Sequence, residues 1–396
     1  MVIIMENIIF HIDVNNAFLS WTAINLLQNG YKYDIRNSYA IIGGDESGRH
    51  GIVLAKSTPA KKLGIKTAET IFSARKKCRV LKVYPPDYNL YSKMSNSLFE
   101  LLSKYTNDIE VASIDECYLD YGKVKNLYGD EYIFAKKLQK EILDTLGFTV
   151  NIGIANNKLC AKMASDFSKP YKIHTLYSYE VKEKMWPLDV GELFGIGKKT
   201  EEKLKKMGIN TISDLANADV NKLSITFKNM TKQMIDSANG IDYSRVIIYE
   251  EPKGIGNELT LSKDINNKEE LYKLLFELSN KVGGRLRNQN KYANVVVVTL
   301  KDVYFKRKSH QKKLKNATNS TKEIYEISKI ILDEMHDNEM IRLIGIRLDN
   351  LVSNGFYQTS LFEDVNDKKD DEKLDKILDD LQKKYGSKVI DKASLK

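Results

Sequence analysis

The chain has 396 residues, 42% of them hydrophobic and 29% charged, enough for about two to four packed domains but with no window apolar enough to span a membrane. Three distant cysteines, Cys78, Cys117 and Cys160, argue against a disulfide framework or a zinc knuckle and for reduced thiols in the cytoplasm. The formal charge of +9, with an isoelectric point near 9.0, is compatible with a polyanionic partner.

Met1 to Phe10 is apolar but carries Glu6 and lacks a basic leader, so it reads as a core strand and not as a signal peptide. The apolar run Ile8 to Ile12 stops at Asp13. Val14-Asn15-Asn16-Ala17-Phe18 then leads into a helical pattern through Leu19, Ala23, Leu26 and Leu27 to Gly30. An acid at the C-terminal end of a core strand, just before a helix, stands where α/β sites gather. Short strands are expected over 38–42 and 51–55, with Gly43-Gly44 as a turn. Pro59 opens a helix that Gly64 closes. After Pro85-Pro86, a helix carries Leu90, Met94, Leu98, Leu101 and Leu102 on one face.

Next comes Ala112-Ser113-Ile114-Asp115-Glu116-Cys117-Tyr118-Leu119-Asp120, two adjacent carboxylates between apolar runs. Read alone, the pair is a strand ending in a solvated turn. If buried, it gains most from a divalent metal. A helix over about 132–146, a strand over 149–154 and a helix from Asn157-Lys158 to Phe167-Ser168-Lys169-Pro170 follow. This alternation over 1–172 predicts an α/β or α+β sheet.

From Tyr179 to Ile241 the pattern is helical. Gly195 and Gly197 open a lysine-rich helix at Lys198, in the form of a helix-hairpin-helix element whose backbone N–H groups suit phosphate oxygens. Taken alone, Gly-x-Gly is equally a helix-joining turn. Residues 243–256, with Pro252, Gly254 and Gly256, read as a linker. A helix over 268–287, a strand over 295–300, a helix over 321–336 and a strand over 341–348 make a second α/β unit. Between Lys281 and Lys315, eleven Lys and Arg face a single acid, Asp302. Lys306, Arg307 and Lys308 are expected just after the central strand. Such a concentration suits a phosphate backbone, with a solvated lysine face as the plain alternative. The tail reads Gln358-Thr359-Ser360-Leu361-Phe362, then a charged helix with Leu374, Ile377, Leu378 and Leu381 on one stripe.

Asp13 and Asp115 are each expected to end a strand of one sheet, with Glu116 beside the second. Three carboxylates converging there would hold two Mg²⁺ ions for in-line phosphoryl transfer. The lack of a His/Cys cluster in the sequence agrees with an oxygen-liganded ion.

Four motifs in order resemble the Y-family translesion DNA polymerases, over residues 5–352. They are Phe10 through Phe18, Pro59 through Lys66, Ala112 through Asp120, and Gly153-Ile154-Ala155-Asn156-Asn157-Lys158 through Lys169-Pro170. The resemblance implies an α+β multidomain right hand. It places the palm at 1–16 and 88–176, the fingers at 17–87 and a thumb with a helix-hairpin-helix at 177–243. A linker at 244–253, a little finger at 254–352 and a tail at 353–396 follow. It implies Asp13, Asp115 and Glu116 as catalytic ligands of two Mg²⁺ ions, assisted by the Val14 carbonyl. Phe18 would be the steric gate under the sugar. Lys169, Lys61, Thr58 and the backbone of Ala17 and Phe18 would bind the triphosphate. Gly195, Gly197, Lys198, Lys306, Arg307 and Lys308 would contact DNA. The implied activity is low-fidelity, template-directed addition of deoxynucleotides to a primer in DNA damage tolerance, by a cytoplasmic monomer. Its partners would be primer-template DNA, deoxynucleoside triphosphates and the replication sliding clamp, the last through Gln358, Leu361 and Phe362.

The chain departs from the family's pattern in places. Thr58 and Lys61 stand where the family often has Tyr and Arg, and lysine lacks the bidentate arginine contact. Asn15 stands where many members have a second Asp, and is read as a non-ligand. Ile52 and Leu54 fall where the roof over the new base pair is often small. Two other classes compete: a non-catalytic DNA-binding paralogue, and another two-metal nucleotidyl enzyme such as a cyclase. The three retained acids argue against the first, and the glycine hairpin and basic segment against the second.

Overall fold

The computed structural model describes residues 7–45, 51–249, 251–353 and 365–385. The chain divides into two compact units, one over 1–44 and 51–250, the other over 251–396 together with 45–50. Among the described residues, no helix is long and apolar enough to cross a membrane.

The first unit begins with β1 (Ile9–Val14), α1 (Ala17–Gln28), β2 (Ala40–Gly43), β3 (Val53–Lys56), α2 (Thr58–Lys62), α3 (Ile71–Lys77) and β4 (Lys82–Tyr84). It continues through α4 (Tyr88–Ser103), β5 (Ile109–Val111), β6 (Glu116–Asp120), α5 (Lys125–Tyr128), α6 (Glu131–Leu146), β7 (Val150–Ala155), α7 (Lys158–Asp166) and β8 (Ile173–Leu176). Four helices end it: α8 (Lys198–Lys206), α9 (Ile212–Ala216), α10 (Val220–Phe227) and α11 (Met230–Ala238).

Strands β5-β6-β1-β7-β8 form one sheet and β3-β2-β4 a smaller one. β1 is central, antiparallel to both β6 and β7. All of β1 is buried because helices cover both faces of the sheet. Phe10, Ile12 and Val14 join Trp21, Tyr91, Leu98, Phe134 and Leu138 in one core. Ile9 packs on the other side with Leu159, Met163 and Ala164 of α7. Side chains alternate along a strand, so His11 and Asp13, in phase with Ile9, fall on the α7 face. β6 follows suit, since Asp13 pairs with Glu116 and His11 with Tyr118.

α7 is capped at its start by Asn157, whose side chain accepts the Cys160 N–H at 2.8 Å. It lies unusually close to β7 because Gly153 has no side chain. A Cβ there would stand 2.0 Å from the Ala161 carbonyl oxygen and 2.5 Å from the Ser165 nitrogen.

The second unit holds β9 (Gly254–Ile265), α12 (Lys268–Asn288), β10 (Tyr292–Asp302), β11 (Arg307–Thr318), α13 (Thr321–Met335), β12 (Ile341–Val352) and α14 (Val365–Tyr385). Its sheet runs β11-β10-β12-β9, entirely antiparallel. Leu275, Leu278 and Val282 of α12, with Ile331 and Leu332 of α13, pack on Val296, Val298 and Ile344.

Several expectations are corrected. Asp115 does not end a strand. It sits in the turn between β5 and β6, where the Ala112 and Ser113 N–H groups reach back to the Glu116 carbonyl at 3.0 and 3.1 Å. The flanking apolar runs hide this reversal, because β5 is only three residues long. Gly254 and Gly256 are not linker but open β9, where they pair with Asp349 and Arg347 of β12. Arg307 and Lys308 do not trail the central strand; they begin β11, whose solvated face has no apolar pattern to reveal it. α14 turns Asp375 and Asp379 inward and leaves Leu374 and Ile377 exposed. Arg287 takes Asp379 at 2.6 Å and Asp375 at 3.1 Å, and Asp375 accepts the Thr321 N–H at the start of α13 at 2.8 Å.

Candidate active site

Where β1 hands over to α1, an open cleft of about 300 Å³ forms in the first unit. It is lined by Asp13, Val14, Ala17, Phe18, Thr58, Lys61, Asp115 and Lys169, residues drawn from four separate stretches of the sequence. Glu116 does not line it. Glu116 borders a neighbouring groove of about 900 Å³ that Gly195 also lines.

Register explains this arrangement. Asp13 and Glu116 are direct cross-strand partners on the α7 face. The turn swings Asp115 away from that alternation and into the cleft. Two contacts hold it there: the Val14 N–H donates to the Asp115 carbonyl at 3.0 Å, and the Ser113 hydroxyl donates to Asp115 Oδ1 at 2.6 Å.

Each of the paired carboxylates has its own ammonium group. Lys169 donates to Asp13 Oδ2. Burial still pushes the Asp13 carboxyl up to about 7, against the pull of Lys169. Lys162 donates to Glu116 Oε1 at 2.7 Å, and the His11 ring lies 3.7 Å from Oε2. Together the His11 ring and the Lys162 ammonium hold Glu116 well below the usual carboxylate range. His11 is itself buried, which pushes its pKa down. The Ser165 hydroxyl donates to the Lys162 carbonyl at 2.8 Å and lies 2.8 Å from His11 Nδ1.

Among the described residues, no three carboxylate, imidazole or thiol side chains stand close enough to hold an ion as placed. The donor chemistry nonetheless fits a hard divalent cation. The candidate ligands are all oxygens, one of them on a carboxylate that burial destabilises when charged. Lysine ammoniums supply the compensating charge on two of them.

Phe18 leaves α1 to stack on Tyr91, with centroids 4.4 Å apart and planes 5° from parallel. Tyr88 meets it edge-on at 6.2 Å. The Thr22 and Tyr91 hydroxyls are 3.1 Å apart and fix this platform. Asn16, in the left-handed region with φ of +49°, precedes α1 without a side-chain cap. The first N–H groups of that helix therefore remain available at the cleft for an anion.

Asn15 is engaged structurally. Its amide donates to Asn151 at 3.1 Å and its oxygen accepts the Tyr171 N–H at 2.9 Å, tying the Lys169 loop to the sheet. Leu54 lines the cleft, and Ile52 does not.

Sequence reasoning missed Lys56, Thr67, His11 and Lys162. Lys56 and Thr67 line the cleft, with the Lys56 ammonium 2.8 Å from the Thr67 hydroxyl. Burial and the Lys61 charge push the Lys56 pKa down. Lys56 lies two residues before Thr58, a signal that was legible. Lys162 and His11 carry no local signal, because their roles depend on which strand faces which helix.

Gly195 has φ of +94° and Gly197 caps α8, with open space around both. Lys198 is exposed at the start of that helix. In the second unit, Arg307 is paired with Glu258 and Lys308 with Glu339, so of the three expected cations only Lys306 lacks an ion-pair partner among the described residues. Gln358, Leu361 and Phe362 lie outside the described residues.

Comparison with known proteins agrees with this architecture. Residues 12–166 match the impB/mucB/samB family, residues 252–361 its C-terminal domain, and residues 180–209 the IMS family HHH motif. DNA polymerase IV of Clostridium acetobutylicum is 48% identical over 388 residues, spanning 98% of this chain and 97% of that protein. The chain belongs to the DNA polymerase IV group of Y-family DNA polymerases. DNA polymerase IV 1 of Bacillus subtilis is 34% identical over 395 residues, covering 98% of this chain and 93% of its own. A solved Y-family DNA polymerase chimera of Dbh and Dpo4 superposes with a TM-score of 0.78 at 26% identity, covering 88% of this chain and 100% of its own. The insertion ternary complex of Dbh DNA polymerase gives a TM-score of 0.61 at 26% identity, covering 88% and 100%. The fold and activity are therefore those of a translesion, DNA-directed DNA polymerase.

Proposed function

We propose that this polymerase extends a primer at the cleft between β1 and α1, with Asp13, Asp115 and Glu116 holding two Mg²⁺ ions and the Val14 carbonyl assisting. The observation that carries the reading is the convergence of Asp13, Asp115, Phe18 and Lys169 on one cleft, with Glu116 on the adjoining groove. When bound, the ions lower the pKa of the primer hydroxyl and neutralise charge on the triphosphate.

The chain's own groups do the rest. Lys169 and Lys61, with Thr58 and the N–H groups of Ala17 and Phe18, bind and orient the triphosphate. Lys56 adds a cation on the same wall. The Phe18 ring lies under the sugar and excludes a 2′-hydroxyl. Glu116 faces the groove shared with Gly195, the side from which the primer end arrives. Gly195, Gly197 and Lys198 grip the DNA backbone, as do Lys306 and, once freed from their acids, Arg307 and Lys308. The palm comprises 1–16 and 88–176, the fingers 17–87, the thumb 177–243 and the little finger 254–352.

Asp115→Ala tests the site. Mg²⁺-dependent extension of a primed template should fall by on the order of a thousandfold while the melting temperature holds. Extension that survives in the folded variant removes Asp115 from the site.

Gln358, Leu361 and Phe362 form a further proposal: they dock on the sliding clamp, the two apolar side chains filling a pocket. Their place after β12 supports it. Leu361→Ala combined with Phe362→Ala should abolish clamp pull-down and leave distributive extension intact. Loss of both activities would assign the segment to the fold.

A further inference from the structure

We infer that Asp166 is a positioning residue: it is the seat to which Lys162 and Lys169 withdraw when their carboxylates bind a divalent cation. The inference rests on the assignment of Asp13 and Glu116 as ligands.

Five side chains form a line of alternating charge along the foot of α7. Lys162 stands 2.7 Å from Glu116 and 3.3 Å from Asp166 Oδ2. Lys169 stands 2.8 Å from Asp166 Oδ1 and donates to Asp13. Each oxygen of Asp166 therefore serves one lysine, and each lysine serves one expected ligand. The order is Glu116, Lys162, Asp166, Lys169, Asp13.

Asp166 is the last residue of α7, where the helix dipole disfavours a negative charge. What offsets that placement is the pair of ammonium groups. The Lys162 side chain is only 10% exposed. A buried ammonium displaced from Glu116 must find another acceptor at once or remain uncompensated. Asp166 lies one helical turn along the same face, so the exchange needs only a side-chain rotation. On the other side, Lys169 can leave Asp13 for the triphosphate and return, with Asp166 holding its ammonium within reach of both. Without Asp166, both lysines have their carboxylates as sole partners and compete with any cation arriving there.

The test measures Mn²⁺ binding, read from the free-ion electron paramagnetic resonance signal. It uses the full chain with a dideoxy-terminated primed template and the matching nucleotide. Asp166→Asn is isosteric at a half-exposed position and leaves the fold intact. It should weaken Mn²⁺ binding about fivefold. Lys162→Gln should tighten binding, and in that background Asp166→Asn should cost less than it does in the parent, because only Lys169 still needs the seat. Asp166→Glu, which keeps the seat, should restore most of the affinity. Equal weakening by Asp166→Asn in both backgrounds would mean that its charge acts only through the local field, and overturns the inference. Unchanged binding in Asp166→Asn overturns it as well. The underlying assignment fails separately, if Asp13→Asn and Glu116→Gln each leave Mn²⁺ binding untouched.

Discussion

Sugar selection should depend on the Phe18 stack in a way that can be sized from its geometry. The ring lies flat on Tyr91 at 4.4 Å and edge-on to Tyr88 at 6.2 Å. A ribonucleotide is accommodated only if the ring leaves this seat. Losing the aromatic pairing costs about 1 kcal/mol, and re-exposing a half-buried ring about 1.5 kcal/mol. The sum, about 2.5 kcal/mol, corresponds to roughly 70-fold in kcat/KM. Phe18→Ala should therefore lower discrimination between dCTP and CTP opposite template guanine by about that factor in single-nucleotide extension. Tyr91→Phe keeps the ring and loses only the hydroxyl contact with Thr22 at 3.1 Å. It should leave discrimination nearly unchanged and cost about 1 kcal/mol of stability. A Phe18→Ala protein that folds, polymerises and still selects sugars within about threefold of the parent would refute the gate and the reasoning behind it.

Two further outcomes concern the scaffold of the site. Burial lifts the Asp13 carboxyl from 3.8 to about 7, so the native state holds this proton more tightly than the unfolded chain does. Its contribution to stability is complete below about pH 4 and is lost as the pH rises to about 7. In chelator-treated protein, Asp13→Asn should flatten that decline in melting temperature; parallel profiles would contradict the burial argument. At Gly153, an added methyl group would meet the Ala161 carbonyl oxygen at 2.0 Å, and backbone cannot yield as a side chain can. Gly153→Ala should cost about 3 kcal/mol or more and shift α7 with its lysines. A normal melting curve would show that the helix has room to move.

Much of this protein was legible along the chain. Asp13 and Phe18 lie five residues apart across a strand-to-helix junction, so the apolar run and the helical period that follows place both. The cap at Asn157 and the glycines before Lys198 are equally local, since a helix terminus is specified by its immediate neighbours. These short-range signals, in order, also carried the family resemblance.

Tertiary structure decided how those pieces meet. The pairing of Asp13 with Glu116, the swing of Asp115 into the cleft and the turn of Glu116 towards its own groove follow from β-sheet register. A one-residue slip would reverse every face. Lys162 and Asp166 gained their places because Gly153 lets α7 lie against the sheet. Gly254 became a strand because β12 offered it an edge, and α14 turned Asp375 and Asp379 inward because Arg287 was there to meet them. Residues distant in sequence set each of these outcomes, so local propensity carries no trace of them.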